Sequence, residues 1–209
     1  MGQLKNTVEL LGYYGSDEVI ACSAWTSTSR ELTDEKRERI PKMINMLWSQ
    51  GHETPFEKGV VHFLVNVDQA SHIHLLKHRI SSFNGESARY KELKEDKYYI
   101  PQDWPIKWQL KLEEYTKQGN DLYHECLNEL ERGIGRKRAK ESARFFKTYN
   151  SQIQADISFN MRSFANFQKL RNSEHAQVEI RDIAAKMLEL VENIEGNPFK
   201  HTLQAFKDK

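Results

Sequence analysis

The sequence predicts an α/β or α+β fold, with a small central sheet, flanking helices and a long helical region. Few segments are β-branched and aromatic enough for strands, the clearest being 59–67, GVVHFLVNV. Several longer segments repeat apolar residues at helical spacing. In 174–194, Ile180, Ile183, Ala184, Met187, Leu188, Val191 and Ile194 fall on one face. The chain of 209 residues is the size of one domain, so a single domain over 1–209 is expected. That length buries a real core without disulfides or metals.

The elements follow in order. Residues 7–14, TVELLGYY, and 18–25, EVIACSAW, read as short strands separated by the turn Gly15-Ser16-Asp17. Thr33-Asp34-Glu35 starts a helix with acidic groups in its first turn. Ile40, Met43, Ile44 and Leu47 continue it, Gly51 stops it, and Pro41 is expected to kink it or delay its start. The stretch 51–59, GHETPFEKG, is punctuated as a loop. After the 59–67 strand, 68–78, DQASHIHLLKH, reads as a helix capped by Asp68. An irregular segment passes through Asn84-Gly85. A long helix over about 105–131 follows, broken by Gly133 and Gly135. Another helix starts near Lys137 and runs towards 148, and 158–171, SFNMRSFANFQKLR, reads as helical.

Composition limits the function. Lys plus Arg number 31 against 30 Asp plus Glu, a formal charge of +1. Nucleic acid or an acidic membrane as main partner would call for a basic excess, so neither is expected. Cys22 and Cys126 have no CxxC partner, which suits a reducing, cytoplasmic setting (a host cytoplasm if the source is viral). No apolar run reaches the roughly 18 residues of a membrane span. The N-terminal MGQLKNTVELLGYYG lacks the apolar core of a signal peptide.

The stretch 75–93, LLKHRISSFNGESARYKEL, is the richest in chemistry. Lys77, His78, Arg79, Ser81, Ser82, Ser87 and Arg89 gather around one Asn84-Gly85 turn. Guanidinium forks, hydroxyls and backbone N–H groups at a tight turn make an anion cradle. Cations at a helix C-terminus would account for Lys77, His78 and Arg79, but not for Ser87 and Arg89. The loop 51–59 presents His52, Glu53, Thr54 and Glu57 beside a rigid strand, as a ligand loop or as ordinary solvated charge. Arg162 and Asn166 share a helix face, Arg171 and His175 are four apart, and Arg144 precedes them. Phe159, Phe164 and Phe167 read as a wall that is half core and half ligand site.

His74 and His78 have the i, i+4 spacing of a zinc pair, but no third ligand and no zinc-protease Glu are present, so no metal is expected. No GxGxxG or Walker A loop occurs, and no Cys sits in a nucleophile-like setting. Any chemistry therefore points to a cofactor. A rival reading is a non-catalytic nucleotide- or RNA-binding module on the basic helix RKRAK, 136–140.

These residues resemble the flavin-dependent thymidylate synthases. The family signature is Arg-His-Arg, seven residues, Ser, any residue, Arg; here it reads Lys77-His78-Arg79, seven residues, Ser87-Ala88-Arg89. GHETPFE at 51–57 and the block Asn160, Arg162, Asn166, Leu170-Arg171 and His175-Ala176-Gln177 complete the match in the family's order. The resemblance implies the thymidylate synthase-complementing fold and a homotetramer. It implies FAD reduced by NADPH, and transfer of a methylene group from methylenetetrahydrofolate to dUMP, giving dTMP. No catalytic Cys is needed.

By position, the resemblance assigns Ser27, Thr54, Glu57, Lys77, His78, Arg79, Ile80, Asn160, Arg162, Asn166, Leu170 and His175 to the flavin. His52 falls near the folate ring. His74, Glu86, Ser87, Ala88, Arg89, Arg144 and Arg171 fall to the nucleotide, with Ser87 and Arg171 as the catalytic pair. The crowded donors of 75–93 would then serve two anionic ligands. The chain departs from the family at Lys77 for Arg, at His74 for a Gln, and at Glu86, which is displaced by one residue.

Overall fold

The computed structural model describes residues 4–207. It contains a four-stranded antiparallel sheet of order β1-β2-β4-β3 and eight α-helices among the described residues. The chain forms two compact units. Among the described residues the first comprises 4–7, 65–77 and 84–155, and the second 8–64, 78–83 and 156–207. The backbone passes from one to the other within the strands and between Lys77 and His78.

In the second unit, β1 (Thr7–Tyr14) alternates exposed and half-buried residues, as an edge strand does. The next segment is a helix, α1 (Asp17–Trp25), where the sequence predicted a strand. Ser16, expected in a turn, is its N-cap, accepting from Val19 N–H at 3.3 Å. Asp17 is buried and accepts from His201 N–H, Thr202 N–H and the Thr202 hydroxyl at 2.7, 3.0 and 2.6 Å. It thereby satisfies the opening turn of α8 (Lys200–Lys207), which the sequence reading missed.

Helix α2 (Asp34–Ser49) runs through Pro41 without ending. The proline removes one backbone donor. Burial of Ile40, Ile44 and Leu47 on its inner face holds the helix on both sides of the gap. The expected loop at 51–59 contains a 3-10 turn, Thr54–Lys58, anchored by Phe56. Phe56 is fully buried, with ring centroids 5.3 Å from Trp48 and 6.0 Å from Phe206.

The segment expected as one helix over 158–171 is a strand and then a helix. β4 (Gln152–Asn160) ends where Asn160 caps α6 (Met161–Arg171), accepting from Ser163 N–H at 2.8 Å. Phe159, Phe164 and Phe167 are core throughout, not half wall. Their rings pack on one another at centroid distances of 5.0–6.5 Å, and Phe164 stacks on Phe63 at 6.0 Å. Helix α7 (Val178–Glu192) buries Ile180, Ile183, Ala184, Met187 and Val191 as the sequence indicated.

In the first unit, β2 (Val60–Asp68) delivers Asp68, which caps α3 (Gln69–Leu76) by accepting from Ser71 N–H at 2.8 Å. The helix stops at Leu76 with Lys77 as C-cap, so His78 lies beyond it and does not share its face with His74. A short strand, β3 (Ser82–Gly85), occupies the segment read as irregular. Helix α4 (Ile106–Ile134) runs through Gly133 and ends at Gly135, whose φ of 78° suits glycine. It buries Thr116, Gly119, Asn120, Tyr123 and Leu127. Helix α5 (Arg136–Ala143) follows, then a 3-10 turn at Arg144–Phe146, shorter than the predicted run to 148. No helix is long and apolar enough to cross a membrane among the described residues.

Gly59 sets the geometry of the second unit. A Cβ there would lie 2.8 Å from Met161 Cγ and 2.8 Å from Phe199 Cε1, while its carbonyl accepts from Met161 N–H at 2.9 Å. Gly59→Ala is expected to destabilise the protein by about 1–3 kcal/mol through overpacking, read as a lower urea midpoint at unchanged slope. A midpoint equal to wild type would show that Met161 and Phe199 yield freely.

Candidate active site

In the second unit, the close pass of Gly59 brings the 54–58 turn to the first turn of α6. Arg162 reaches back between two carboxylates. Its Nε donates to Glu53 Oε2 and its Nη1 to Glu57 Oε1, both at 2.8 Å. The pairs are partly exposed, so screening keeps their stabilisation small; what they fix is the direction of the guanidinium.

At the other end of α6, Arg171 Nε donates to His78 Nε2 at 3.0 Å, a contact that needs the imidazole lone pair. His78 is buried, its ring edge-on to Phe167 at 5.0 Å, and its carbonyl accepts from the Ser81 hydroxyl at 2.6 Å. Arg171 is therefore gripped by one edge, with its two Nη groups directed elsewhere. In the same unit Arg79, Ile80, Asn166, Leu170, His175, His52 and Thr54 are exposed. Ile80 and Leu170 leave 63% and 50% of their surface open, apolar area standing beside cations. Ser27, just past the end of α1, donates to the Ala24 carbonyl at 3.1 Å.

The first unit carries the remaining residues. His74 is half-buried on α3, and Lys77 is exposed at its end. Glu86 lies next to β3, its N–H donating to the Gln154 carbonyl at 2.8 Å and its carboxylate pairing with Lys91 at 2.5 Å. Ser87 caps the tight turn that follows. Its hydroxyl accepts from Arg89 N–H at 3.3 Å, and its carbonyl accepts from Tyr90 and Lys91 N–H. Arg89 donates through Nε to Glu141 Oε1 at 2.8 Å, which again leaves the Nη pair open. Arg144 is exposed at the end of α5.

The basic helix α5 is not a free cationic face. Arg136 pairs with Glu92 and Glu131 at 2.5 and 2.6 Å, Arg138 with Glu141 at 3.4 Å, and Lys140 donates to the Tyr90 carbonyl at 2.8 Å. Sequence reasoning missed Glu53 and Glu141 as orienting partners. Each sits on an element other than that of the arginine it holds, and nothing in their local spacing marks the pairing.

The matching family model, thymidylate synthase complementing protein, covers residues 9–195. A flavin-dependent thymidylate synthase of Pseudothermotoga lettingae is 32% identical over 198 residues, spanning 90% of this chain and 85% of that one. The enzyme of the same description from Thermotoga neapolitana is 31% identical over 191 residues, spanning 89% and 85%. Among solved structures, a UMP/dUMP methylase, PolB, from Streptomyces cacaoi bound with 5-Br dUMP superposes with a TM-score of 0.80 at 25% identity. That match covers 99% of this chain and 96% of the other. The chain belongs to the flavin-dependent thymidylate synthase family.

Proposed function

We propose that this chain is a flavin-dependent thymidylate synthase, acting as one domain over 1–209 and as a cytoplasmic homotetramer. It would convert dUMP to dTMP, with methylenetetrahydrofolate as carbon donor and NADPH as reductant. The observation that carries this reading is the paired arrangement on α6. Arg162 is fixed by two carboxylates at one end and Arg171 by His78 at the other, on a chain of this family.

The donor set suits FAD. Arg79 supplies positive charge for a pyrophosphate and Arg162 the donor edge that Glu53 and Glu57 leave, while Ile80 and Leu170 offer uncovered apolar surface for a flat ring system. Thr54, Glu57, Lys77, His78, Asn160, Asn166, His175 and Ser27 complete the proposed flavin set. Reduced flavin would supply the hydride that turns a transferred methylene into a methyl group. The protein's own part is to bind and orient.

Ser87, Ala88, Arg89 and Arg144 bind the nucleotide, with His74 and Glu86 beside them and His52 against the folate. Arg89, held at Nε, presents its Nη pair to a phosphate as a bidentate fork. Arg171 is likewise held at Nε; in this reading it would set fixed positive charge where negative charge develops on the pyrimidine. Neither cysteine is needed as a nucleophile, and Cys126 packs against the Tyr123–Leu127 cluster.

Purified protein is expected to be yellow, tetrameric by light scattering, and to form dTMP from dUMP with methylenetetrahydrofolate and NADPH. UMP belongs in the same assay, because the structural neighbour is described as a UMP/dUMP methylase. Colourless protein that also fails to take up added FAD would falsify the reading. Arg89→Ala and Arg171→Ala each remove a charged hydrogen-bonding partner worth ~1.5–3 kcal/mol. The half-saturating dUMP concentration should then rise roughly tenfold or more. Unchanged dUMP curves in both variants would remove these arginines from the nucleotide site. Lys77 keeps charge but lacks a planar fork, and it is exposed at the end of α3. Lys77→Arg should leave flavin affinity within a few-fold, whereas Lys77→Ala should weaken it. Equal FAD titrations of wild type and Lys77→Ala apoprotein would reduce Lys77 to a solvated helix-end cation.

A further inference from the structure

The first unit holds an ion pair, buried at its lysine end and partly exposed at its carboxylate, that the proposed chemistry does not use. Lys147 exposes only 3% of its side chain, and its Nζ donates to Asp96 Oδ1 at 2.6 Å and to Asn120 Oδ1 at 2.8 Å. The ammonium also sits 4.4 Å from the Tyr123 ring centroid. His124 Nε2 meets the same carboxylate at 2.9 Å from Oδ2. Asn120, Tyr123 and His124 stand at i, i+3 and i+4, one face of α4. The Tyr123 hydroxyl accepts from Leu93 N–H at 3.0 Å.

One helix face and one lysine thus grip Leu93 and Asp96, in the segment that follows the Ser87–Arg89 turn. Upstream, Arg136 holds Glu92, Lys140 holds the Tyr90 carbonyl and Glu141 holds Arg89. Glu86, Lys91, Leu93, Asp96 and Lys147 line one cleft. Asp96 has φ 47°, in the left-handed region that favours glycine and that Asp enters more readily than most residues.

The energetics favour a geometric role. Burial pulls the Lys147 ammonium below its ordinary pKa against the opposing pull of Asp96. Burial pushes the Asp96 carboxyl up, but hydrogen bonds from Lys147 and His124 outweigh it and hold the group below the usual carboxylate range. A pair buried at one end adds little net stability over an apolar replacement, because desolvation of the ammonium offsets the attraction. Its directional bonds do fix the backbone. We propose that Lys147 and Asp96 are positioning residues for nucleotide binding: they lock the 86–97 segment on α4, so that Glu86, Ser87 and Arg89 are preset for the substrate. This rests on the assignment of 86–89 to the nucleotide.

The test uses the flavin-loaded full chain as wild type, Lys147→Arg, Lys147→Met and the double variant Lys147→Met/Asp96→Asn. Flavin content, urea midpoint, amide exchange over 86–97 and rate against dUMP are measured on each. Since small misplacements of a binding group are costly, Lys147→Met should raise half-saturating dUMP about tenfold or more, with the rate at saturation within about threefold and flavin content unchanged. Lys147→Arg should recover most of the affinity. The double variant leaves no lone buried charge. It should recover the urea midpoint yet retain both weak dUMP saturation and fast exchange at Leu93 and Asp96, and it decides the matter if Lys147→Met does not fold. A double variant that recovers midpoint and dUMP saturation together overturns the positioning role, as does an unmoved dUMP curve in folded Lys147→Met. Wild type that holds no flavin and forms no dTMP overturns the functional reading and this role with it. An active wild type with unmoved variants overturns this role alone.

Discussion

The second unit turns on the absence of a side chain at Gly59. Any Cβ there would stand 2.8 Å from both Met161 and Phe199, so only glycine lets the end of the 54–58 turn pass so close to the start of α6. That approach is sealed by the Met161 N–H to Gly59 carbonyl bond. Its consequence is chemical. Arg162, the second residue of α6, comes within hydrogen-bonding distance of Glu53 and Glu57, which flank Pro55 and Phe56 in sequence. Phe56 makes the turn rigid by filling the space between Trp48 and Phe206, so the carboxylates are held by core packing and not by their own charge.

A common device recurs at the arginines. Arg171 is held through Nε by His78, and Arg89 through Nε by Glu141. A guanidinium has five donors in a planar fork, and fixing it at Nε leaves the terminal pair aimed but unsatisfied. In the proposed roles, an arginine fixed before the ligand arrives would lose less ordering entropy on binding than a mobile one. Arg162 is different. Its Nε and Nη1 are both engaged by carboxylates, so it is the most constrained of the three and contributes a narrower free edge.

Much of this was legible in the sequence, and the failures have physical causes. The helices over 34–49, 69–76 and 178–192 follow from caps and apolar periodicity that local chemistry enforces. The 18–25 segment reads as a strand because the seven apolar and small residues of 19–25 suit a strand or a buried helix equally; the Ser16 cap with Asp17 and Glu18 behind it is the deciding signal. β4 was missed although Ile153, Ala155, Ile157 and Phe159 alternate strictly with polar residues, the period of a strand. The helical pattern beyond Asn160 overrode it. Helix α8 is short, and its first turn depends on Asp17 from the far end of the chain, a partnership no local pattern announces. The motif residues were visible as types at spacings, but the carboxylates that orient them were not, because those contacts are tertiary.

The backbone of Glu86 is fixed by the end of the sheet. Glu86 follows the last residue of β3, and its N–H completes a bond to the Gln154 carbonyl of β4. Its backbone is therefore committed to the strand end, while its carboxylate meets Lys91 and accepts from Gln154 N–H. With Gly85 before it and the Ser87 cap after it, the residue at 86 is the first in the turn whose side chain is fixed by the sheet. A carboxylate one position earlier would lie inside β3, where successive side chains point to opposite faces. Glu86 therefore stands at the junction of strand and turn, next in sequence to Ser87, and Gly85 occupies the last strand position.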